Sequence, residues 1–272
     1  MKDQQDLEEY LRTAEHLARE AGELLMSRFG RRQQIEYKGA IDLVTDADRA
    51  SEDLLVDRLK AAYPDHSIMT EEGNSLRTSS SLTWVIDPLD GTTNFTHGFP
   101  FFCVSIALAS SGRPMVGAVY HPSLNEMFTV IRGGGARVNG TPLTVSGRPA
   151  MTESLLATGF PYDIREGKET NLEYFAAFAV RARAIRRAGA AALDLCYVAA
   201  GRFDGFWELK LHPWDIAAGS LMVEEAGGRT TDFSGGPYTI DTTHMVASNG
   251  LIHDEIIRTI AEVDSEGDGA GP

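Results

Sequence analysis

Apolar residues recur at helical spacing near the start of the chain. Leu7, Leu11, Ala14, Leu17, Ala18, Ala21, Leu24, Leu25 and Phe29 share one face, which predicts a helix over 6–29 stopped by Gly30. Ile35-Glu36-Tyr37 reads as a strand running into a loop, Lys38-Gly39-Ala40-Ile41-Asp42. Leu43-Val44-Thr45 leads to a second helix over 46–62, closed by Pro64, with Asp46 as its N-cap and Asp48 as a first-turn acid. That placement leaves Asp48 open to either a structural or a catalytic role. Residues 67–70 read as a short strand delivering Glu71-Glu72-Gly73, and the Ser-rich stretch 74–82 as a surface loop.

The next apolar run, Trp84-Val85-Ile86, predicts a buried strand that stops at Asp87-Pro88-Leu89-Asp90-Gly91-Thr92. Pro88 fixes its own φ and biases Asp87 toward extended geometry, which puts the first carboxylate at the strand tip. Gly91 allows a backbone shape that residues with a Cβ resist. Thr92 and Thr93 then open a helix whose first N–H groups have no partner inside it. Two carboxylates beside bare amide donors suit a hard cation and a phosphate together, although a lone Asp-Pro-x-Asp-Gly is also an ordinary turn.

Three apolar strands follow over 103–109, 115–120 and 126–132, and Val138-Asn139-Gly140 signals a hairpin. Phe95, Phe99, Phe101 and Phe102 read as core. Beyond 145–153, the expected boundary between two halves, helix and strand alternate. Strands are expected at 154–158, 184–187 and 203–209 and near Arg229 and Met245; helices at 169–180, 190–200, 214–226 and 251–262. The pattern predicts a mixed α/β chain of two intimately packed halves, 1–148 and 149–262, with an acidic disordered tail over 263–272.

Composition narrows the partners. The 272 residues carry 43% hydrophobic and 24% charged side chains, ordinary for a soluble globular protein. No apolar run reaches the roughly 20 residues needed to cross a bilayer, and the polar start MKDQQDLEEY is no secretory signal, so a cytoplasmic location and no membrane partner are expected. Cys103 and Cys196 lie in apolar surroundings and read as reduced core thiols. A net charge of −14 argues against a nucleic-acid-coating surface. It suits an anionic substrate only where bound divalent cations reverse the field locally.

Trp214-Asp215-Ile216 places one more acid at a helix start. Glu71, Asp87, Asp90 and Asp215 each sit at a strand end or helix start, where α/β folds put ligands. If they converge, each pair about 4 Å apart repels by roughly 4 kcal/mol at an effective dielectric of 20. Bound Mg²⁺ or Mn²⁺ would relieve that, because all-oxygen ligands favour these ions over Zn²⁺.

With these motifs the chain resembles the inositol monophosphatase family, magnesium-dependent and typically lithium-sensitive phosphatases, across roughly residues 5–262. The most specific pieces are 84–100 and 214–228, supported by Glu71-Glu72 and by Lys38 with Asp42-Leu43-Val44-Thr45. The resemblance implies a layered αβαβα sandwich that forms homodimers. It implies that Glu71, Asp87 and the Leu89 carbonyl hold an activating Mg²⁺, and that Asp87, Asp90 and Asp215 hold a second. It allows a third, weaker ion near Glu71, with Mn²⁺ able to substitute. Gly91, Thr92 and Thr93 match its phosphate cradle, Asp48 and Thr92 its water-orienting pair, with Glu71 assisting catalysis. Glu208, Asp215, Ala191 and Lys38 match substrate contacts. The reaction implied is direct in-line hydrolysis of inositol monophosphate. Histidinol phosphate, fructose 1,6-bisphosphate and 3′-phosphoadenosine compounds are the alternative substrates. One departure is Ala190, where family members often carry Ser or Thr.

Other readings fit less well. Haloacid-dehalogenase phosphatases end their strand in Asp-x-Asp-x-Thr, whereas here the acids stand three apart with Pro88 between them. Gly133-Gly134-Gly135 lacks the Lys-Ser/Thr of a nucleotide loop, no Gly-x-Ser-x-Gly elbow occurs, and His212 and the other histidines lack metal spacing. A catalytically retired binding scaffold is the non-enzymatic alternative.

Overall fold

The structure, a computed structural model, describes residues 4–31, 35–37 and 43–268. The amphipathic start forms α1 (Gln4–Arg28). Strands β1 (Ile35–Tyr37) and β2 (Leu43–Thr45) pair antiparallel and lead into α2 (Asp46–Ala62). The N-cap of α2 is Thr45 rather than Asp46: Thr45 Oγ1 accepts from the N–H of Ala47 at 3.1 Å. Asp46 instead faces Arg28 at 3.2 Å. A Thr hydroxyl does the same capping work, which is why the sequence pattern alone left the cap ambiguous.

A seven-stranded sheet runs in the order β3 (Ser67–Thr70), β4 (Leu82–Asp90), β5 (Cys103–Ser110), β6 (Arg113–His121), β7 (Glu126–Ile131), β8 (Gly135–Val138) and β9 (Thr141–Pro142). Only β3 and β4 are parallel; the other neighbours pair antiparallel. The hairpin read at 138–140 is present, with Asn139 and Gly140 both at positive φ. Strand β5 reads as uniformly apolar because both its faces are covered. Val104, Ile106 and Leu108 join one core, and Cys103, Ala107 and Ala109 another.

The second sheet, five-stranded, runs β11 (Ala184–Arg186), β10 (Leu155–Thr158), β12 (Gly205–Glu208), β14 (Met245–Ser248) and β13 (Arg229–Thr231). Helices α1 and α2 cover the outer face of the large sheet around Leu17, Leu25, Leu55, Trp84 and Ile86. Between the sheets lie α5 (Ala191–Ala199) and α6 (Pro213–Glu225), packed through Leu195, Ile216, Leu221 and Met222. Helices α4 (Leu172–Ala179) and α7 (His253–Asp268) close the far side over Leu156, Trp207 and Ile256. The architecture is the expected αβαβα sandwich.

Three readings need correction. The strand expected to stop at Asp87 continues to Asp90. Most of the tail read at 263–268 is helix: α7 runs on to Asp268, held by the Tyr174–Asp264 hydrogen bond and by Arg181 on Glu262 at 2.8 Å. Phe99 is 54% exposed, whereas Phe95 and Phe102 are buried and Phe101 packs partly against the core. Cys103 and Cys196 are buried free thiols. Among the described residues no helix is long and apolar enough to cross a membrane.

Candidate active site

The end of β4 is the pivot. In a regular strand Asp87 and Asp90, an odd number of residues apart, would point to opposite faces of the sheet. The pairing shifts between them: Asp87 faces Ser105 and Asp90 faces Cys103, so β4 carries one residue more than β5 over this span. That bulge turns both carboxylates to the same side. Pro88 sits inside it, where a missing N–H does not interrupt the ladder. Gly91 follows at φ +94 and caps α3 (Thr92–Thr96). A Cβ there would stand 3.0 Å from the Phe101 carbonyl oxygen and 3.3 Å from that of Gly189.

The two acids open onto a cleft of about 880 Å³ between the two sheets' ends. Its wall also carries Glu71 from the loop after β3, Gly91, Thr92 and Thr93 from α3, Ala191 from α5, Glu208 from the end of β12, and Asp215 from the start of α6. The chain thus brings these residues together from both halves. Asp48 lies behind this wall, fully buried, with Oδ1 2.9 Å from Thr92 Oγ1. Its Oδ2 accepts from the Thr45 N–H at 2.8 Å and from the Thr45 hydroxyl. The structural and the catalytic placements of Asp48 therefore coincide: one oxygen closes the capping box of α2 and the other faces Thr92. Lys38 and Asp42 lie outside the described residues.

Each cleft carboxylate has a fixed anchor. Asp87 Oδ1 accepts from Leu89 N–H at 3.0 Å, and Asp215 Oδ2 from His212 N–H at 2.7 Å. Asp90 Oδ2 accepts from Ala192 N–H at 2.8 Å. Ala190 is the N-cap of α5 and offers no side-chain cap. Asp90 takes over that role from another element, which accounts physically for the tolerance of alanine at this position. Asn94 ties α3 to the loop before α5, donating to the Phe101 carbonyl at 2.7 Å and the Ala188 carbonyl at 2.8 Å.

The charges in the cleft oppose one another. Burial raises Asp87 well above the ordinary carboxylate range, and Glu71, Asp90 and Asp215 push it further in the same direction. Burial lifts Asp90 to about 6 against the N–H groups at the start of α5. Burial, aided by Asp90, lifts Asp215 to about 7 against its His212 N–H bond. Glu208 rises to about 8 through burial, Asp215 and Asp90, partly relieved by Arg187. Asp48 is raised by burial, with its Thr45 and Thr92 hydrogen bonds working the other way. No cation acts on Asp87 or Asp215 among these causes.

A set of carboxylates and one carbonyl, buried and mutually repelling, is the donor chemistry of a hard divalent cation. The residues present fit such ions. As they stand, no three His, Cys, Asp or Glu side chains among the described residues are gathered closely enough to hold a metal. Like charges without a counter-ion keep apart, so side-chain rotation would have to complete the ligand set.

Four cleft or near-cleft residues escaped the sequence reading. Asp194 and Arg187 line the wall beside Glu208, and Lys210, at φ 57, pairs with Asp163 at 2.6 Å on the rim. Glu52 is fully buried on α2 and accepts from the N–H groups of Glu72 at 2.8 Å and Asn74 at 3.0 Å, pinning the loop that carries Glu71. The signal for Asp194 was available: an acid between two leucines on an otherwise apolar helix, AALDLC.

A family profile described as Inositol monophosphatase family matches residues 6–265. The chain is 46% identical over 259 residues to the Nus factor SuhB of Pseudomonas aeruginosa, covering 92% of this chain and 95% of that protein. It is 42% identical over 258 residues to the inositol-1-monophosphatase of Synechocystis sp., covering 94% and 90%. Its fold superimposes on the inositol monophosphatase structure from Anabaena (Nostoc) sp. with a TM-score of 0.87 at 40% identity, covering 94% of this chain and 97% of that one.

Proposed function

The chain belongs to the inositol monophosphatase family, a family of metal-dependent phosphatases, and from that premise we propose that it hydrolyses a small polyol phosphate, inositol monophosphate first among them. The observation that carries this reading is the cleft itself: four carboxylates from both halves face one space beside the Thr92–Asp48 pair.

In this proposal Glu71, Asp87 and the Leu89 carbonyl hold one Mg²⁺ and Asp87, Asp90 and Asp215 a second. A third, weaker ion sits near Glu71, and Mn²⁺ can substitute. When bound, the ions lower the pKa of a coordinated water and neutralise charge on the phosphate and the departing alkoxide. The protein's own groups do the rest. The Thr92 hydroxyl lies between Asp48 Oδ1 and the Leu89 carbonyl, 3.1 Å away. By donating to Asp48 it presents its lone pairs to the cleft, where they accept a proton of the attacking water and orient it. The raised Asp48 carboxyl is a better proton acceptor at neutral pH than an ordinary Asp. Backbone N–H groups of Gly91, Thr92 and Thr93 face the phosphate oxygens. Glu208, Asp215 and the Ala191 N–H hold the alcohol, with Lys38 closing the phosphate side. Attack is direct and in line, with no phosphoenzyme. The homodimer is part of the same proposal.

The test is phosphate release with EDTA and with added Mg²⁺, for wild type and Asp90→Asn. Mg²⁺-dependent release that the variant loses while staying folded is the expected result; full activity in the variant would refute the ligand assignment. A panel of inositol monophosphate, histidinol phosphate, fructose 1,6-bisphosphate and a 3′-phosphoadenosine compound, ranked by kcat/KM, decides the substrate. A second reading, a binding role of the kind that the name Nus factor implies for relatives, draws on the 46% identity to one of them. The retained acid set speaks against a retired site, because unpaired buried acids destabilise a fold that no longer uses them.

A further inference from the structure

Asp194 sits on α5 within the cleft wall, on the side of Glu208 and away from the β4 acids' backbone anchors. It is 1% exposed, and no hydrogen-bond donor reaches its Oδ1 among the described residues. A buried carboxylate oxygen without a donor destabilises the protein by far more than a surface acid does. Nothing structural offsets it: Asp194 is past the first turn's capping positions, makes no ion pair within reach, and faces the exposed Arg187 only through the longer-range field. The apolar side chains around it, Leu193 and Leu195, would pack equally well beside a neutral residue.

Asp194 shares the wall with Glu208, whose carboxylate lies against Gly159 so closely that a Cβ there would collide with it. The wall is therefore built to hold two acceptor-only groups side by side. A single phosphate would be repelled by them. The partner that satisfies two neighbouring carboxylates is a neutral molecule carrying adjacent O–H donors.

We propose that Asp194 is a specificity-determining residue that accepts a hydrogen bond from a hydroxyl of the substrate's alcohol portion, beside the hydroxyl taken by Glu208. The inference rests on the phosphatase reading above and deepens it: the substrate class is a phosphate ester of a vicinal polyol rather than of a simple alcohol. Rotation about the Cβ–Cγ bond exchanges the two carboxylate oxygens, so the orphaned oxygen needs no backbone movement to meet an entering donor.

The experiment compares wild type, Asp194→Ala and Asp194→Asn on two esters, myo-inositol 1-phosphate and p-nitrophenyl phosphate, whose leaving group carries no additional hydroxyl. Asp194→Ala is expected to lower kcat/KM for the inositol ester about 10-fold or more, mainly through KM, as for loss of a hydrogen bond to a charged acceptor. Turnover of p-nitrophenyl phosphate stays within about twofold, and the Mg²⁺ midpoint does not move. Asp194→Asn keeps an acceptor oxygen and recovers part of the loss. Both variants melt at or above the wild-type temperature, because the unpartnered charge is gone. Single-deoxy inositol phosphates complete the cycle: one of them loses rate in wild type and no further rate in Asp194→Ala. Equal losses on both esters, no loss on either, or a shifted Mg²⁺ requirement would overturn the proposal. Absence of phosphate release from both esters by wild type would overturn the phosphatase reading itself, and this one with it.

Discussion

Gly91 joins the metal-facing strand to the phosphate-facing helix, and replacing it with alanine separates two physical effects. Its φ of +94 is a backbone conformation that an L side chain adopts at a penalty of roughly 1–2 kcal/mol. A Cβ would also meet the Phe101 carbonyl oxygen at 3.0 Å, Phe102 Cβ at 3.2 Å and the Gly189 carbonyl oxygen at 3.3 Å. Two of these are backbone atoms held in place by Asn94, so they yield only if the α3–α5 junction moves. Overpacking of this kind adds about 1–3 kcal/mol. Gly112, in the turn between β5 and β6, is the matched control: its φ is +76 and a Cβ there meets nothing within 4 Å. Urea denaturation should show Gly112→Ala losing about 1–2 kcal/mol and Gly91→Ala about 2–5 kcal/mol. Phosphate release should fall at least about 10-fold in Gly91→Ala, since small misplacements of catalytic groups are that expensive, and stay unchanged in Gly112→Ala. Equal destabilisation by the two variants, with turnover intact in Gly91→Ala, would refute the close-approach argument.

The remaining predictions concern charge and positioning. In the metal-free protein, Glu208 and Asp215 hold their protons up to about 8 and about 7, far above their ordinary values, so the folded state binds more protons than the unfolded chain across that range. Stability then falls as pH rises and levels off above about pH 8, while His253, lowered to about 4, gives the opposite slope below its ordinary 6.5. Melting temperature in EDTA should therefore drop between about pH 6.5 and 8, with Mg²⁺ flattening the curve; a metal-free rise would contradict the account. Glu52→Gln turns an amide NH₂ toward a backbone N–H that the carboxylate accepted, loosening the Glu71 loop. Its Mg²⁺ midpoint for phosphate release should rise about fivefold with saturating turnover within about twofold, and an unchanged midpoint would remove Glu52 from the positioning role.

Much of the fold was legible because its signals are local. The α1 stripe, the Asn139-Gly140 turn and the β5 run all encode their burial within a few residues. The site's individual acids were legible for the same reason: each ends a strand or begins a helix. The β4 bulge was not, because its register is set by pairing with β5, and only that pairing explains how an odd spacing places Asp87 and Asp90 together. Asp90 capping α5 was equally hidden, since the two residues it joins are separated by most of the chain. Phe99 shows the limit of hydrophobicity as a burial signal: α3 is too short to bury every aromatic around it. The extension of α7 depended on Tyr174 and Arg181, side chains from another helix that turn acidic residues into anchored ones.

The central claim is that Glu71, Asp87, Asp90 and Asp215 converge on shared divalent ions. Crystals soaked in Mn²⁺ and measured at a wavelength where manganese scatters anomalously test it directly. The account predicts two strong anomalous peaks in the cleft, one bounded by Glu71, Asp87 and the Leu89 carbonyl, the other by Asp87, Asp90 and Asp215. A map with no peak touching Asp87 would contradict it.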